Sequence, residues 1–217
     1  AEFVAKLVLQ IVDEILANTD YRPFHLFINS EATSGINLAE IPETWRESVS
    51  YIESIPNMEN NFAKRADHCI NQIPHEIVCI LEGTLKGFHP GWLEILTGQI
   101  LQDSIGMTAP RLIHENERVY SNGLILLPDG TIKHLSNDKK RSDNGYFGWA
   151  KLSRGYSALS QKCFLIKRET YNHMGGFDTT LTSPLHAIVD ICLKLREEGF
   201  RNILKPEIEL YLSDPMS

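Results

Sequence analysis

Apolar positions in this 217-residue chain change their period repeatedly, and each change marks an element. Residues 2–18 repeat them at helical spacing (Phe3, Leu7, Ile11 and Ile15, with Val4, Val8 and Leu16 beside them). The polar Asn18-Thr19-Asp20 and then Pro23 predict where that helix stops. The spacing does not alternate, so a helix is favoured there, although a strand over 3–11 is the competing reading. Short apolar runs at 24–28 and 49–54 predict strands, and 57–73 a helix. Residues 77–81 are continuously apolar, as expected of a strand covered on both faces. Residues 92–102 form an amphipathic pattern, and 105–109 a short strand ending before Pro110. Residues 122–127 and 131–135 flank Pro128-Asp129-Gly130, a strong hairpin turn signal. The polar, lysine-rich 136–146 predicts a mobile surface loop.

The stretch 156–212 is the most legible. Cys163, Phe164, Leu165 and Ile166 suit a buried strand, and residues 168–174 a short helix stopped by Gly175-Gly176. Ser183 stands as N-cap and Pro184 at the first position of a second helix. Its Leu185, Ile188, Val189, Cys192 and Leu195 fall on one face, Lys194, Arg196, Glu197 and Glu198 on the other. Gly199 ends it, with Phe200 placed to pack back on the last turn. Strand, helix, helix, strand in this order predicts an α/β core.

Composition narrows the partners. A net charge of −7 argues against nucleic acid or an anionic membrane, because both reward clustered cations. The one basic run, Lys139-Lys140-Arg141, lies in the polar loop. No apolar run approaches the roughly 20 residues of a membrane helix, and the start of the chain lacks the pattern of a secretory leader. Cys69, Cys79, Cys163 and Cys192 sit in apolar contexts without a CxxC pair, which predicts free thiols and a cytoplasmic setting. The eight histidines show no metal-ligand spacing.

The spaced words CFLIKRE, GGFD, VDICLKLREEGFR and IELY closely resemble the C-terminal half of the catalytic domain of family-2 glycosyltransferases. NTDYRPFHLFINSEATSG, NNFAKRADHCINQI and HPGWLE resemble its earlier segments in the same order. The resemblance implies the GT-A fold: an α/β domain with a mixed, mostly parallel sheet and helices on both faces, the strand ending at Leu81 being central. Residues 1–217 are then expected to form one domain of a larger protein, with a donor-binding half (1–110) and an acceptor-side half (111–217). It also implies transfer of a sugar from a nucleotide-sugar donor to a glycan acceptor, usually with Mg²⁺ or Mn²⁺.

The resemblance carries over residue by residue, with departures. Asn29 stands where the family has an Asp touching the nucleotide base, before a turn of which Thr33 and Gly35 survive. Asp67 takes the place of an Asn in the helix after the third strand. Glu82, Gly83, Thr84 and Leu85 fill the place of the DxD-type carboxylates, so Glu82 is the one candidate metal ligand. The implied donor-binding set is Asn29, Asp67, Glu82 and Thr84. The general base belongs just before the helix word VDIC, where Ala187 and Ile188 stand; Asp190 is the nearest carboxylate. Leu212 replaces a His after the last strand.

Two readings follow. One is a glycosyltransferase-like domain whose catalytic residues are lost or weakened, acting on other domains or protein partners. The other is an active, metal-independent, inverting transferase with displaced catalytic groups. One architectural element is also missing: in the family a strand precedes the first helix and lies mid-sheet. Its absence predicts that the strands at 24–28 and 77–81 pair directly, or borrow a strand from another chain.

Overall fold

The computed structural model describes residues 2–29, 43–52 and 61–213. Thr33, Gly35 and the stretches 53–60 and 214–217 lie outside the described residues. The helical reading of the N-terminus holds: α1 is Glu2–Ala17, followed by β1, Leu26–Ile28. A short 3-10 turn, Glu43–Ser48, leads into β2, Val49–Tyr51, which pairs in parallel with β1. Helix α2, Phe62–Gln72, is capped by Asn61, whose side chain accepts from the Lys64 amide at 2.9 Å and donates to Thr179 O at 3.0 Å. Next come β3, Ile77–Leu81, the two-residue β4, Leu85–Lys86, and helix α3, Trp92–Ile100.

Strand β5 runs Ile105–His114, well past the expected end before Pro110. Pro110 sits where the ladder to the last strand shifts register, between Lys205 and Glu209, and a residue without an N–H is tolerated at such an irregularity. Short strands β6 (Val119–Ser121), β7 (Leu124–Leu126), β8 (Ile132–His134) and β9 (Arg154–Tyr156) follow, β7 and β8 being the expected hairpin. The stretch 136–146 is not a free loop. Val119 N donates to Lys139 O and Asp138 N to Val119 O, both at 2.8 Å, and Arg141 N donates to Glu117 O at 2.9 Å.

Strand β10 (Cys163–Lys167), helix α4 (Arg168–His173), helix α5 (Pro184–Glu197) and β11 (Arg201–Leu212) close the chain. Ser183 caps α5 from its side chain, Gly199 takes φ 85°, and Phe200 N reaches back to Leu195 O at 2.9 Å. The large sheet has the order β3-β10-β5-β11-β4, with β6 on β5 and β9 on β11. Strands β3, β5 and β11 share a direction, because β10 opposes both β3 and β5 while β5 and β11 are parallel.

Alternation along the strands feeds two cores, as a sheet covered on both faces requires. Phe164 and Ile166 of β10 pack with α2 and α5, through Ile70, Ile188 and Cys192. Cys163 and Leu165 of the same strand pack on the opposite face against Trp92 and Leu96 of α3. The four cysteines are free. Burial pushes the Cys69 thiol to about 11 and that of Cys192 to about 12, so neither is a thiolate near neutral pH.

Strand β3 is not central among the described residues: it is the edge of the seven-stranded sheet. Strands β1 and β2 form a separate two-stranded sheet, and β1 does not pair with β3. Direct pairing, one of the two ways of closing the sheet, is therefore overturned. The short β1 is held instead by helix α1, whose Val12 and Leu16 pack on Ile28 and Val49.

Candidate functional site

A cavity of about 1230 Å³ opens between β1 and β3, beneath α1 and beside α2. Most of its wall is apolar, but Asn29 after β1, Arg65 of α2, Glu82 after β3, and Gln161 and Lys162 before the strand 163–167 add polar groups to it. The edges of open α/β sheets favour ligand sites at the carboxyl ends of strands, where side chains leave the ladder and face the crevice.

Register brings the key pair together. Cys163 lies opposite Leu81, and the Glu82 amide donates to Lys162 O at 2.8 Å, so two residues 80 apart leave the ladder side by side. Lys162 Nζ lies 2.7 Å from both Glu82 carboxylate oxygens, and Thr84 Oγ1 donates to Glu82 Oε1 at 3.3 Å. The same ammonium sits 5.5 Å from the centroid of the Tyr120 ring. Burial, helped by the Glu82 charge, raises the Tyr120 pKa. His134 lies against Tyr120 with ring centroids 4.6 Å apart, and burial, then Lys162, lowers its pKa. Beside them the buried Gln161 Oε1 has no hydrogen-bond partner. Neither Lys162 nor Gln161 was singled out by sequence. Both are polar residues just before a strand, and only the antiparallel register aims them at Glu82.

The remaining candidates are dispersed. Asn29 Nδ2 donates to Ile52 O at 3.0 Å, tying the ends of β1 and β2 on the cavity wall. Asp67 does not line the cavity. Its Oδ1 accepts from the Tyr171 hydroxyl at 2.7 Å and its Oδ2 from Asn71 Nδ2 at 3.1 Å, while the same Tyr171 hydroxyl oxygen accepts from the Phe177 amide at 3.0 Å. Gly176, at φ 73°, completes this buckle: a Cβ there would lie 2.7 Å from Asp67 Oδ1. Asp190 lies on α5 with Lys194 Nζ 2.8 Å from its Oδ2, an i,i+4 pair. Ala187 and Ile188, where a base is expected by resemblance, are fully buried in the core. Leu212 is also buried, packed with Leu85.

A divalent cation does not fit the side chains that surround Glu82. Mg²⁺ and Mn²⁺ want several hard oxygen ligands. Among the described residues no three His, Cys, Asp or Glu side chains come together to hold an ion. The one carboxylate at the strand end already carries an ammonium on both of its oxygens.

Comparison with known proteins places the fold. The structure superposes on GalNAc-T7 with UDP, GalNAc and Mn²⁺ at a TM-score of 0.71, with 14% identity, covering 96% of this chain and 41% of that one. It also superposes on the mannosyltransferase PcManGT from Pyrobaculum calidifontis, in complex with GDP-Man and Mn²⁺, at a TM-score of 0.63 with 16% identity, covering 98% and 54%. The chain has the GT-A glycosyltransferase fold. In sequence it is similar to the O-antigen biosynthesis protein RfbC of Myxococcus xanthus, 22% identical over 94% of this chain. It is also similar to the uncharacterized protein y4gI of Sinorhizobium fredii, 26% identical over 70% of the chain. It spans 16% and 17% of those two relatives' lengths. No protein-family profile matches the chain. No described helix is long and apolar enough to cross a membrane.

Proposed function

We propose that this chain is a family-2-like glycosyltransferase domain that binds a nucleotide sugar without the metal and base of an active transferase. It would serve inside a larger polysaccharide-synthesis protein. The observation that carries this reading is the Glu82–Lys162 pair: the side chain at the end of β3 is neutralised by an ammonium from the same chain. In the mechanism proposed, Lys162 faces the diphosphate beside Glu82, which Thr84 steadies from outside the cavity, and Asn29 with the unpartnered Gln161 Oε1 faces base or ribose. Asp67, on α2 and bonded to Tyr171, would hold α2 against α4 rather than touch the donor. The Mn²⁺-bound neighbours and the O-antigen relative support a sugar-nucleotide reading in class, and the side chains here support its metal-independence.

Isothermal titration with UDP-, GDP- and dTDP-sugars, each with and without Mn²⁺, tests this. The expected result is binding of one nucleotide class with unchanged affinity when Mn²⁺ is added. Binding that requires Mn²⁺ would overturn it, as would no binding to any of the three.

Lys162 also favours the second reading, a metal-independent inverting transferase, because an ammonium at the diphosphate does part of what a metal ion does for a leaving group. No general base stands at the expected place, since Ala187 and Ile188 are apolar and buried. Release of nucleoside diphosphate from the bound donor, above the uncatalysed rate and lost in Lys162→Ala, would establish this reading over the first.

A further inference from the structure

Three large aromatic side chains stand in water on one short segment. Tyr146, Phe147 and Trp149 are 73%, 81% and 51% exposed, all within the kinked 3-10 segment Tyr146–Lys151. The hydrophobic effect drives such side chains inward, so three together on the surface mark a place that binds something. The backbone is shaped to hold them there. Phe147 takes φ 49° and ψ 32°, a left-handed conformation that a bulky residue rarely adopts, between Gly145 at φ 67° and Gly148 at φ 78°. The segment is also pinned. Gly145 N donates to Asp143 Oδ1 at 2.8 Å, Ala150 N to Asn144 O at 3.0 Å, and the buried Asn122 Nδ2 to Ala150 O at 3.2 Å. The Arg154 guanidinium, 4.7 Å from the centroid of the Trp149 ring, ties that ring to β9.

A cluster of cations brackets these rings. A second cavity, of about 510 Å³, is walled by Arg118, Lys140, Arg141 and Lys151, with Glu117 as the carboxylate among them. That volume lies in the ordinary range of small-ligand sites, about 300–1,000 Å³. Lys140 and Arg141 stand just before the aromatic segment and Lys151 closes it, so one stretch of chain carries both features. The local carboxylates do not neutralise the cluster. Glu117 pairs with Arg141 at 2.9 Å and Asp138 with Arg118 at 3.2 Å. Glu209 lies 2.7 Å from the buried Arg111 and from Arg141, and 3.6 Å from Lys151. The Lys140 ammonium has no ion pair among the described residues. Arg111, Arg118, Lys140, Arg141 and Lys151 thus share three carboxylates, a local positive excess in a chain whose net charge is −7.

We propose that this cavity and the aromatic segment together bind an anionic glycan, a sugar chain whose rings carry carboxylate or phosphate groups. The anion enters among Arg118, Lys140 and Lys151, where charge-assisted hydrogen bonds hold it. A neighbouring sugar ring lays its weakly positive C–H face on the exposed aromatic rings, whose faces carry negative charge. The two features restrict each other. Cations alone would take any anion, and rings alone any apolar surface, whereas an acidic sugar satisfies both at once. The choice of a glycan rests on the glycosyltransferase-like reading above, but the site uses none of the residues assigned to the donor.

The test titrates the 217-residue chain calorimetrically, at physiological ionic strength, with trigalacturonate, a hexose phosphate, maltotriose and tripolyphosphate. We expect saturable binding of trigalacturonate, of the hexose phosphate, or of both, the two arms telling a carboxylate-bearing from a phosphate-bearing glycan. Maltotriose, which lacks charge, and tripolyphosphate, which lacks a ring, should bind at least about tenfold more weakly. Phe147→Gly removes one ring and suits the left-handed backbone, so it should keep or raise Tm while weakening the acidic sugar about fivefold. Lys140→Ala should weaken it about tenfold with Tm unchanged. Binding of neither acidic sugar overturns the proposal, as does maltotriose or tripolyphosphate binding as tightly as the better of them. Affinity unmoved by either variant also overturns it. None of these readouts involves a nucleotide, so a failed donor titration leaves them standing, and their failure leaves the Glu82–Lys162 reading intact.

Discussion

Two regions of the molecule differ sharply in how their strands are finished. Around β5, β10 and β11 every strand has neighbours on both sides, and side chains alternate into two cores whose members are almost all fully buried. Around β1 and β3 the strands are short or one-sided. Leu26, Ile77, Cys79 and Leu81 are partly exposed although all are apolar. The two parts have similarly apolar strands, so the difference is one of partners, not of composition. A strand paired on one side only, as β3 is among the described residues, gives up both backbone pairing and the side-chain burial that pairing brings.

The largest effect expected from that difference is on the finished side. Arg111 is fully buried and donates to Glu209 Oε1 at 2.7 Å, while Arg141 Nε donates to Glu209 Oε2 at 2.7 Å. Glu209→Ala strands a buried guanidinium and should cost about 3–5 kcal/mol in denaturant melts. Adding Arg111→Met should restore much of the loss; no recovery would mean the pair is not the cause.

Next comes a matched pair of truncations. Leu165→Ala, in the finished core, should cost about 2–5 kcal/mol. Leu26→Ala, on the wall of the cavity, should cost under about 1 kcal/mol, since its surroundings are already open. Equal costs would break the comparison. Smaller again, Asn61→Ala should lose about 0.5–2 kcal/mol by uncapping α2 and releasing Thr179 O.

The smallest expected effect is on pH dependence. Burial, then Lys162, lowers the His134 pKa, and burial, then His75, lowers that of His25. For a lowered histidine the unfolded chain binds the extra proton first. The stabilisation is therefore complete above the ordinary value near 6.5 and is lost as pH falls below it. Tm should drop between pH 7.5 and 5.5, and the drop should be smaller in His134→Gln.

Much of the fold was legible because local signals agree with tertiary need. Ser183, Pro184 and Gly199 cap and stop α5 where their chemistry predicts, and the run at 77–81 is β3 residue for residue. Pro110 misled, because a ladder that shifts register tolerates a missing N–H. The loop at 136–146 misled because its polarity hid backbone pairing with β6. At the site, Glu82 was legible through the resemblance, as the carboxylate that follows the apolar run 77–81. Lys162 was not, since its relation to Glu82 exists only through the β3–β10 register. The edge position of β3 was unreadable for the same reason: a continuously apolar run says that two faces are covered, not that both edges are paired.

Residue-resolved hydrogen exchange on the 217-residue chain tests the contrast most directly. Because the Glu82 amide bonds Lys162 O, Val78 and Ile80 turn their backbone groups to β10, Ile77, Cys79 and Leu81 turn theirs outward, and Leu165 of β10 faces β5. The Ile52 amide bonds Ile28 O, so Ile28 faces β2 and Phe27 faces outward. The account predicts that the Leu165 amide exchanges only with global unfolding. The outward-facing amides of Phe27, Ile77, Cys79 and Leu81 should exchange on the order of 100-fold faster or more, faster than their own neighbours Val78 and Ile80. Protection of those four amides equal to that of Leu165 would contradict it.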